Sequence, residues 1–384
     1  MQIVVAMDSF KGSLTSVEAG NAAAAGIRRA FPGAQIQVCP LADGGEGTVE
    51  ALTRGMGGRL RQCAVIGPLG EAVLCTYGIA GQTAIIEAAG AAGLTLLPEE
   101  QRDPRYTSTY GVGLVIRDAL QQGCRRFLIG LGGSATNDGG AGMLQALGFD
   151  LLDAGDAPIP PGAAGLEKLR RIGLQHGSAE LGNCSFRVAC DVTNPLCGPR
   201  GCSAVYGPQK GATPEMVQEM DAWLAHYARC AAAAVPGADP NAPGAGAAGG
   251  LGFAFQTFLK AGLEPGAEIV LQETGLEAQI RCADIVVTGE GCLDGQTAMG
   301  KAPAAVARLA KQYGKPVIAL AGCVTAEARS AGDFDAYFPI LRGACTLEAA
   351  MAPETAVANL TDAAEQVFRL IRRFRTEQDF HMEI

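Results

Sequence analysis

The sequence predicts an α/β protein of two domains. A discontinuous Rossmann-like parallel-sheet domain is expected from residues 1–60 and 283–384, and a mixed α/β domain, residues 61–282, is inserted into it. Three observations carry this prediction. Both ends of the chain read as strand–helix–strand units, the segment after residue 60 alternates as an antiparallel meander does, and 384 residues are enough for two cores of ordinary size.

At the N-terminus, Gln2–Ala6 is a short β-branched run. Thr15-Ser16-Val17-Glu18 is a capping box that opens a helix, which ends ahead of Pro32-Gly33. The loop between them is "DSFKGSL". Near the other end, "ADIVVTGE", the helix-like "APAAVARLAKQYG" and "KPVIALAG" form a second such unit. In the middle, "LRQCAVIGPLGEAVLCTYGIAGQTAIIEAA" alternates apolar and polar residues around a Pro68-Leu69-Gly70 turn. The run "VPGADPNAPGAGAAGGLG", Val235 to Gly252, reads as a flexible loop over a cleft or a tolerated surface insertion, ahead of the helix "FAFQTFLKAG". No internal repeat is evident.

Composition excludes several classes. The apolar content of 48% fits a globular enzyme, while no apolar run spans a bilayer and no signal peptide precedes the first strand, so a cytoplasmic protein without membrane association is expected. Thirteen cysteines are scattered without a CxxC pair and only three histidines are present, which supports neither a disulfide scaffold nor a zinc site. A formal charge of −9 argues against nucleic acid as a partner. Homo-oligomerisation stays open.

Five loops combine glycine with acidic or amide side chains at the ends of probable strands, where open α/β sheets bind ligands. In "MDSFKGS", Lys11 is one of seven lysines in the chain and precedes a helix N-terminus suited to an anion. In "LADGGEGT", Asp43 and Glu46 flank a Gly-Gly pair. In "GLGGSATNDGGAG", Gly130 to Gly142, six glycines surround Asn137 and Asp138 between a strand-like and a helix-like segment. Such glycines cost roughly 0.5–1 kcal/mol each in regular structure, so their clustering marks a sharp turn or a close approach to a ligand.

That third loop also carries Gly130-x-Gly132-x-x-Ala135, with Asp150 downstream, as a dinucleotide fingerprint would. Asn137-Asp138-Gly139-Gly140 delays the helix, which favours a triphosphate cradle over a dinucleotide. In "ACDVTNPLCG", Asp191 and Asn194 could share a hydrated Mg²⁺ or hold a polyol. In "TGEGCLDGQTAMGKAP", with Glu290, Asp294 and Lys301, the Gly295-to-Lys301 spacing approaches a Walker A loop. Ala302 replaces the Ser/Thr that would ligate Mg²⁺, and Pro303 is placed to begin a helix behind Lys301.

Lysines at helix N-termini and several carboxylates, with no metal-binding histidines, suit phosphoryl transfer. A Ser-His-Asp hydrolase is disfavoured, because neither His176 nor His226 lies in a glycine loop. Two other readings remain open. One is a nicotinamide-dependent oxidoreductase acting on a small hydroxy acid, and the other is a non-catalytic nucleotide-binding sensor.

The motifs "MDSFKGSLTS", "PLADGGEGTVEAL", "GLGGSATNDGGAGMLQALG", "DVTNPLCG" and "TGEGCLDGQTAMGKAP", in this order along almost the whole chain, closely resemble the class I bacterial glycerate kinases. The resemblance implies ATP- and Mg²⁺-dependent phosphorylation of D-glycerate to 2-phosphoglycerate, by two α/β domains with the active site in the cleft between them. It implies further that Gly132, Gly133 and Ser134 approach the ATP phosphates, within a cofactor loop that includes Thr136, Asn137, Asp138 and Gly139. Asp138 and Asp191 are then the expected metal ligands, and Lys11 and Lys301 the neutralising cations. Asp191 is the first candidate for general base and Asp8 the second, while Ser9, Asp43, Glu46, Asn194, Glu290 and Asp294 are expected around the substrate.

Overall fold

The computed structural model describes residues 1–175, 179–298, 301–327 and 333–381, so His176 and Gly300 lie outside the described residues. The strands, in chain order, are β1 (Gln2–Met7), β2 (Gln35–Val38), β3 (Arg59–Ile66), β4 (Ala72–Ala80), β5 (Thr83–Glu87), β6 (Arg126–Gly130), β7 (Asp150–Leu152), β8 (Arg171–Gly173), β9 (Ser185–Ala189), β10 (Gly262–Glu264), β11 (Ile285–Leu293), β12 (Val317–Val324) and β13 (Ala336–Pro339). They divide between two compact units. The first comprises Met1–Asp43, Arg54–Met56 and Ala267–Ile384, and the second Gly44–Thr53 and Gly57–Gly266.

The first unit holds, among the described residues, a five-stranded parallel sheet in the order β13-β12-β11-β1-β2. Helix Ser16–Ala30 crosses from β1 to β2, and its predicted capping box is present: Thr15 accepts from the Glu18 N–H at 3.2 Å, and Glu18 accepts from the Thr15 N–H at 2.9 Å. Ile3, Val5, Met7, Ile27, Val287, Leu320, Leu360 and Phe368 bury the sheet face beneath this helix and the long helix Pro353–His381. The two helices meet at Gly26, where a Cβ would fall 2.0 Å from the Thr361 carbonyl oxygen. The chain leaves β1 towards β2 on one side and runs β11-β12-β13 on the other, so the sheet reverses its winding between β1 and β11. That position is where ligands settle in sheets of this kind.

The second unit holds a six-stranded sheet in the order β10-β9-β6-β5-β4-β3 and, among the described residues, a small antiparallel pair β7-β8. The meander is as the alternation predicts: β3, β4 and β5 pair antiparallel, whereas β5, β6, β9 and β10 pair parallel. Asp118 anchors β3 and β4, accepting from Arg61 Nε at 2.6 Å and from the Tyr77 hydroxyl at 2.6 Å.

The crossings between units differ from the expected positions after residues 60 and 282. Helix Leu276–Cys282 belongs to the first unit, held by a Cys39 thiol to Gln279 hydrogen bond and by Tyr313 to Glu277. The turn before helix Thr48–Gly55 belongs to the second unit because Glu87, at the end of β5, accepts the Val49 N–H at 2.7 Å. The later part of the stretch Val235–Gly252 is packed into the second unit. Ala245, Ala247, Gly249 and Gly250 are buried, and Gly249 accepts the Gly139 N–H at 2.9 Å.

Candidate functional site

In the first unit, the sheet's reversal gathers the acidic and basic residues of two motifs. Asp8 follows the last residue of β1, and Glu290 lies in β11 at the same end of the sheet. With Ser9, Lys11, Asp43, Asp294 and Lys301 they line one cavity of about 420 Å³, whose other wall is apolar and includes Leu347 and Met351. Gly12 is required here. Its φ is +75°, and a Cβ would sit 2.8 Å from Met351 Cε.

The charges in this cavity perturb one another. Asp8 is 5% exposed, and its pKa is pushed up to about 6, chiefly by burial, with Asp43 adding to the shift. The Ser9 N–H, 2.7 Å from Asp8 Oδ1, and the charges of Lys11 and Lys301 oppose the rise. Glu290 is pushed up to about 7, again chiefly by burial, with Asp8 and Asp294 adding to it and Thr297 and Lys301 opposing it. Its carboxylate accepts from the Thr297 hydroxyl at 2.7 Å and lies 3.8 Å from Lys301 Nζ. For Lys11, partial burial favours the neutral form, but Asp43 at 3.4 Å, Asp8 and Glu290 outweigh it and raise the pKa. Lys301 caps helix Ala302–Gln312, so Ala302 and not Pro303 is the first helical residue. Asp294 caps the short helix Gly295–Ala298, accepting the Thr297 N–H at 3.1 Å.

In the second unit, the glycine loop after β6 is built from its buried side. Gly130 and Gly132 are spent on close backbone packing, since Cβ atoms there would fall 2.4 Å from Gly44 O and 2.8 Å from Gly45 Cα. Gly132 and Gly133 are exposed, whereas Ser134, Thr136, Asn137, Asp138 and Gly139 are buried. Gly133 has φ +74° and gives its carbonyl to the Leu94 N–H at 2.9 Å. A lip, Gly132–Ser134, exposed at its two glycines and buried at Ser134, is therefore set on a rigid base. Helix Ala141–Ala146 starts well beyond the fingerprint glycines, which removes the geometry a dinucleotide would use.

Four expected site residues, Asp138, Asn194, Glu46 and Asp191, do not line the acidic cavity. Asp138 is fully buried and turns inward. Its Oδ2 accepts from the Thr109 N–H at 2.8 Å, the Thr109 hydroxyl at 2.9 Å and the Gly142 N–H at 3.1 Å, while Oδ1 accepts from the Gly140 N–H at 3.0 Å. With four donors and no exposure, it is the knot of the loop. Asn194 is consumed by its own loop, donating to the Arg200 carbonyl at 2.9 Å and accepting from the Tyr206 hydroxyl at 2.6 Å. Glu46 is exposed and lies outside the acidic cavity. Asp191 is also exposed, and it accepts the Gly266 N–H at 3.0 Å, in the manner of a helix start.

Sequence reasoning missed Lys210. It is 2% exposed and sits beneath the lip, donating to Ser134 Oγ at 2.9 Å and to the Thr136 carbonyl at 2.6 Å. Its neighbours in "GPQKGAT" carried a usable hint, a rare lysine between glycines, but no local pattern announces a buried lysine. His226 is structural, with its ring nitrogen 2.6 Å from the Leu169 carbonyl oxygen. Among the described residues, no helix is long and apolar enough to cross a membrane, and no three His, Cys, Asp or Glu side chains converge as a metal cage.

Comparison with known proteins agrees over nearly the full chain. The model of the glycerate kinase family matches residues 3–372. A glycerate kinase of Haemophilus influenzae is 46% identical, covering 97% of this chain and 99% of its own length. The glycerate 2-kinase of Escherichia coli K12 is 47% identical, covering 91% and 93%. A crystal structure of a Salmonella typhimurium LT2 chain assigned as glycerate kinase 2 superposes with a TM-score of 0.89 at 45% identity, over 98% of this chain and 99% of that one. A buried acidic pocket at a sheet reversal, a glycine lip on a rigid base and matches of this extent have one reading: the chain belongs to the glycerate kinase family.

Proposed function

We propose that this protein transfers the γ-phosphoryl group of ATP to the C2 hydroxyl of D-glycerate, giving 2-phospho-D-glycerate and ADP. The observation that carries this reading is Asp8, a buried carboxylate with its pKa at about 6, in one cavity with Lys11 and Lys301. A general base is most effective when its pKa lies near the working pH. Asp8 therefore replaces Asp191 as the favoured base, since Asp191 is exposed and already accepts a helix N–H.

In this reading Lys11 and Lys301 pair with the glycerate carboxylate. Ser9, Asp43, Glu290 and Asp294 line the same cavity and orient the two hydroxyls. Asp8 takes the C2 hydroxyl proton as that oxygen forms its bond to phosphorus and ADP departs. The lip Gly132–Ser134 receives ATP phosphates, with Thr136, Asn137 and Gly139 shaping it from behind. The acidic cavity fits a largely hydrated Mg²⁺ better than a caged one, because Asp8, Glu290 and Asp294 supply hard oxygens without a three-ligand cluster among the described residues. When bound, Mg²⁺ would neutralise phosphate charge.

ADP release that depends on D-glycerate is the direct test, and hydride transfer to a nicotinamide with the same substrate would reject the reading. Lys301→Met should lower kcat by about 10²–10³-fold, as removal of a preorganised donor to developing charge does. A variant within a few-fold of the parent would return Lys301 to an ordinary helix cap.

A further inference from the structure

Lys210 is an unusual place for a positive charge. Its side chain is sealed beneath the glycine lip, its two partners are a hydroxyl and a carbonyl, and among the described residues no carboxylate lies within ion-pair distance of its Nζ. A buried ammonium without a counter-ion is expensive, and folds retain one only where something offsets the cost. Asp138, whose charge reaches Lys210 through space, is already saturated by four donors. Ser134 Oγ accepts a hydrogen bond from the Lys210 ammonium, so a lone pair is occupied from beneath. Gly133 and Ser134 keep backbone N–H groups that no acceptor takes among the described residues, because the neighbouring pairings use the Gly133 carbonyl and the Ala135 N–H.

We propose that Lys210 is a positioning residue for the nucleotide. By holding Ser134 Oγ from below it turns the hydroxyl proton outward, and its uncompensated charge is matched when the polyphosphate settles on Gly132–Ser134. The inference rests on the reading of this lip as the place of ATP. It also explains why the loop is braced by Asp138 and by Gly249: a lip tuned by one buried cation must not sag away from it.

Burial lowers the Lys210 pKa to about 8, while the Asp138 carboxylate acts to raise it; the other titratable group facing it, Cys202 on helix Cys202–Tyr206, would do so only as a thiolate. Cys202 is itself pushed up to about 12 by burial, so it stays neutral across the assay range. An anion on the lip favours protonated Lys210. ATP affinity should therefore be full below about pH 8 and fall above it, with a proton taken up on binding in the upper range.

Calorimetric titration of ATP with Mg²⁺ into the full chain tests this, using Lys210→Met, Ser134→Ala and the double variant. Lys210→Met should weaken ATP by about ten- to hundredfold, the range for hydrogen bonds from a charged donor, and leave the KM for glycerate unchanged. The double variant should bind no worse than Lys210→Met alone, since one residue acts through the other. A folded Lys210→Met with parental ATP affinity, or losses that simply add, would overturn the proposal. Should that variant not fold, the parent decides: ATP affinity flat from about pH 7 to 9.5, without proton uptake in buffers of different ionisation enthalpy, overturns it equally.

Gly133→Val separates the inference from the reading beneath it. If a folded Gly133→Val loses ATP while Lys210→Met keeps it, the inference alone fails. If Gly133→Val binds ATP as the parent does, both fail.

Discussion

Asp8→Asn should abolish most turnover while making the protein harder to unfold at neutral pH. The amide keeps the shape and can still accept the Ser9 N–H, but it cannot take the hydroxyl proton, so kcat should fall by about 10²–10⁴-fold. The stability gain follows from the same burial. Asp8 has a folded-state pKa of about 6 against 3.8 for an exposed side chain. Its stabilising contribution is fully present below the unfolded value and is lost as pH rises through the folded one, so at pH 7 the parent carries the whole penalty. Removing the charge should therefore stabilise on the order of 1–3 kcal/mol. Melting curves of parent and variant should converge near pH 4 and separate by pH 7, and kcat/KM of the parent should fall as pH drops through about 6. A fully active Asp8→Asn would move the base elsewhere, with Asp191 first in line.

Asp138→Ala has the largest expected effect on stability. It strands the Thr109 N–H and hydroxyl and the Gly140 and Gly142 N–H groups in the core of the second unit. Each buried group left unpaired costs about 1–3 kcal/mol. Allowing for relaxation, a loss on the order of 3–5 kcal/mol and a drop in Tm of roughly 6–20 °C are expected, with or without Mg²⁺ present. A metal ligand would behave differently, because its removal would change Mg²⁺ dependence and leave Tm of the free protein near the parental value. That second outcome would reinstate Asp138 at the metal and contradict its role as the knot of the loop.

The sequence was most legible where local chemistry settles structure. The Thr15–Glu18 capping box and the β3-β4-β5 meander follow from capping chemistry and period-two alternation, and both stand as read. The acidic cavity was legible as separate pieces. Asp8, Lys11, Glu290 and Lys301 each sat at a strand end or helix start, and the sheet's reversal brings those ends together.

What the motifs did not disclose is which way a side chain faces. Asp138 in "TNDGG" and Asn194 in "DVTNP" look like ligand residues in one dimension, yet Asp138 is tied to Thr109 as well as to its own loop, and Asn194 to Arg200 and Tyr206. Conversely, Lys210 looks like a surface lysine and is sealed, and the alanine-glycine run around Gly249 looks like slack and is a brace. For Asp138, Lys210 and Gly249 the deciding contact comes from a segment far away in the chain, which no local spacing encodes.

Phosphorus NMR of the products of D-glycerate, ATP and Mg²⁺ incubated with the protein tests the central claim most directly. The account predicts that the phosphate monoester of the C2 oxygen grows in step with ADP, and that neither grows with Asp8→Asn. A spectrum showing only the C3 monoester, or ADP formed at the same rate without glycerate, would contradict it.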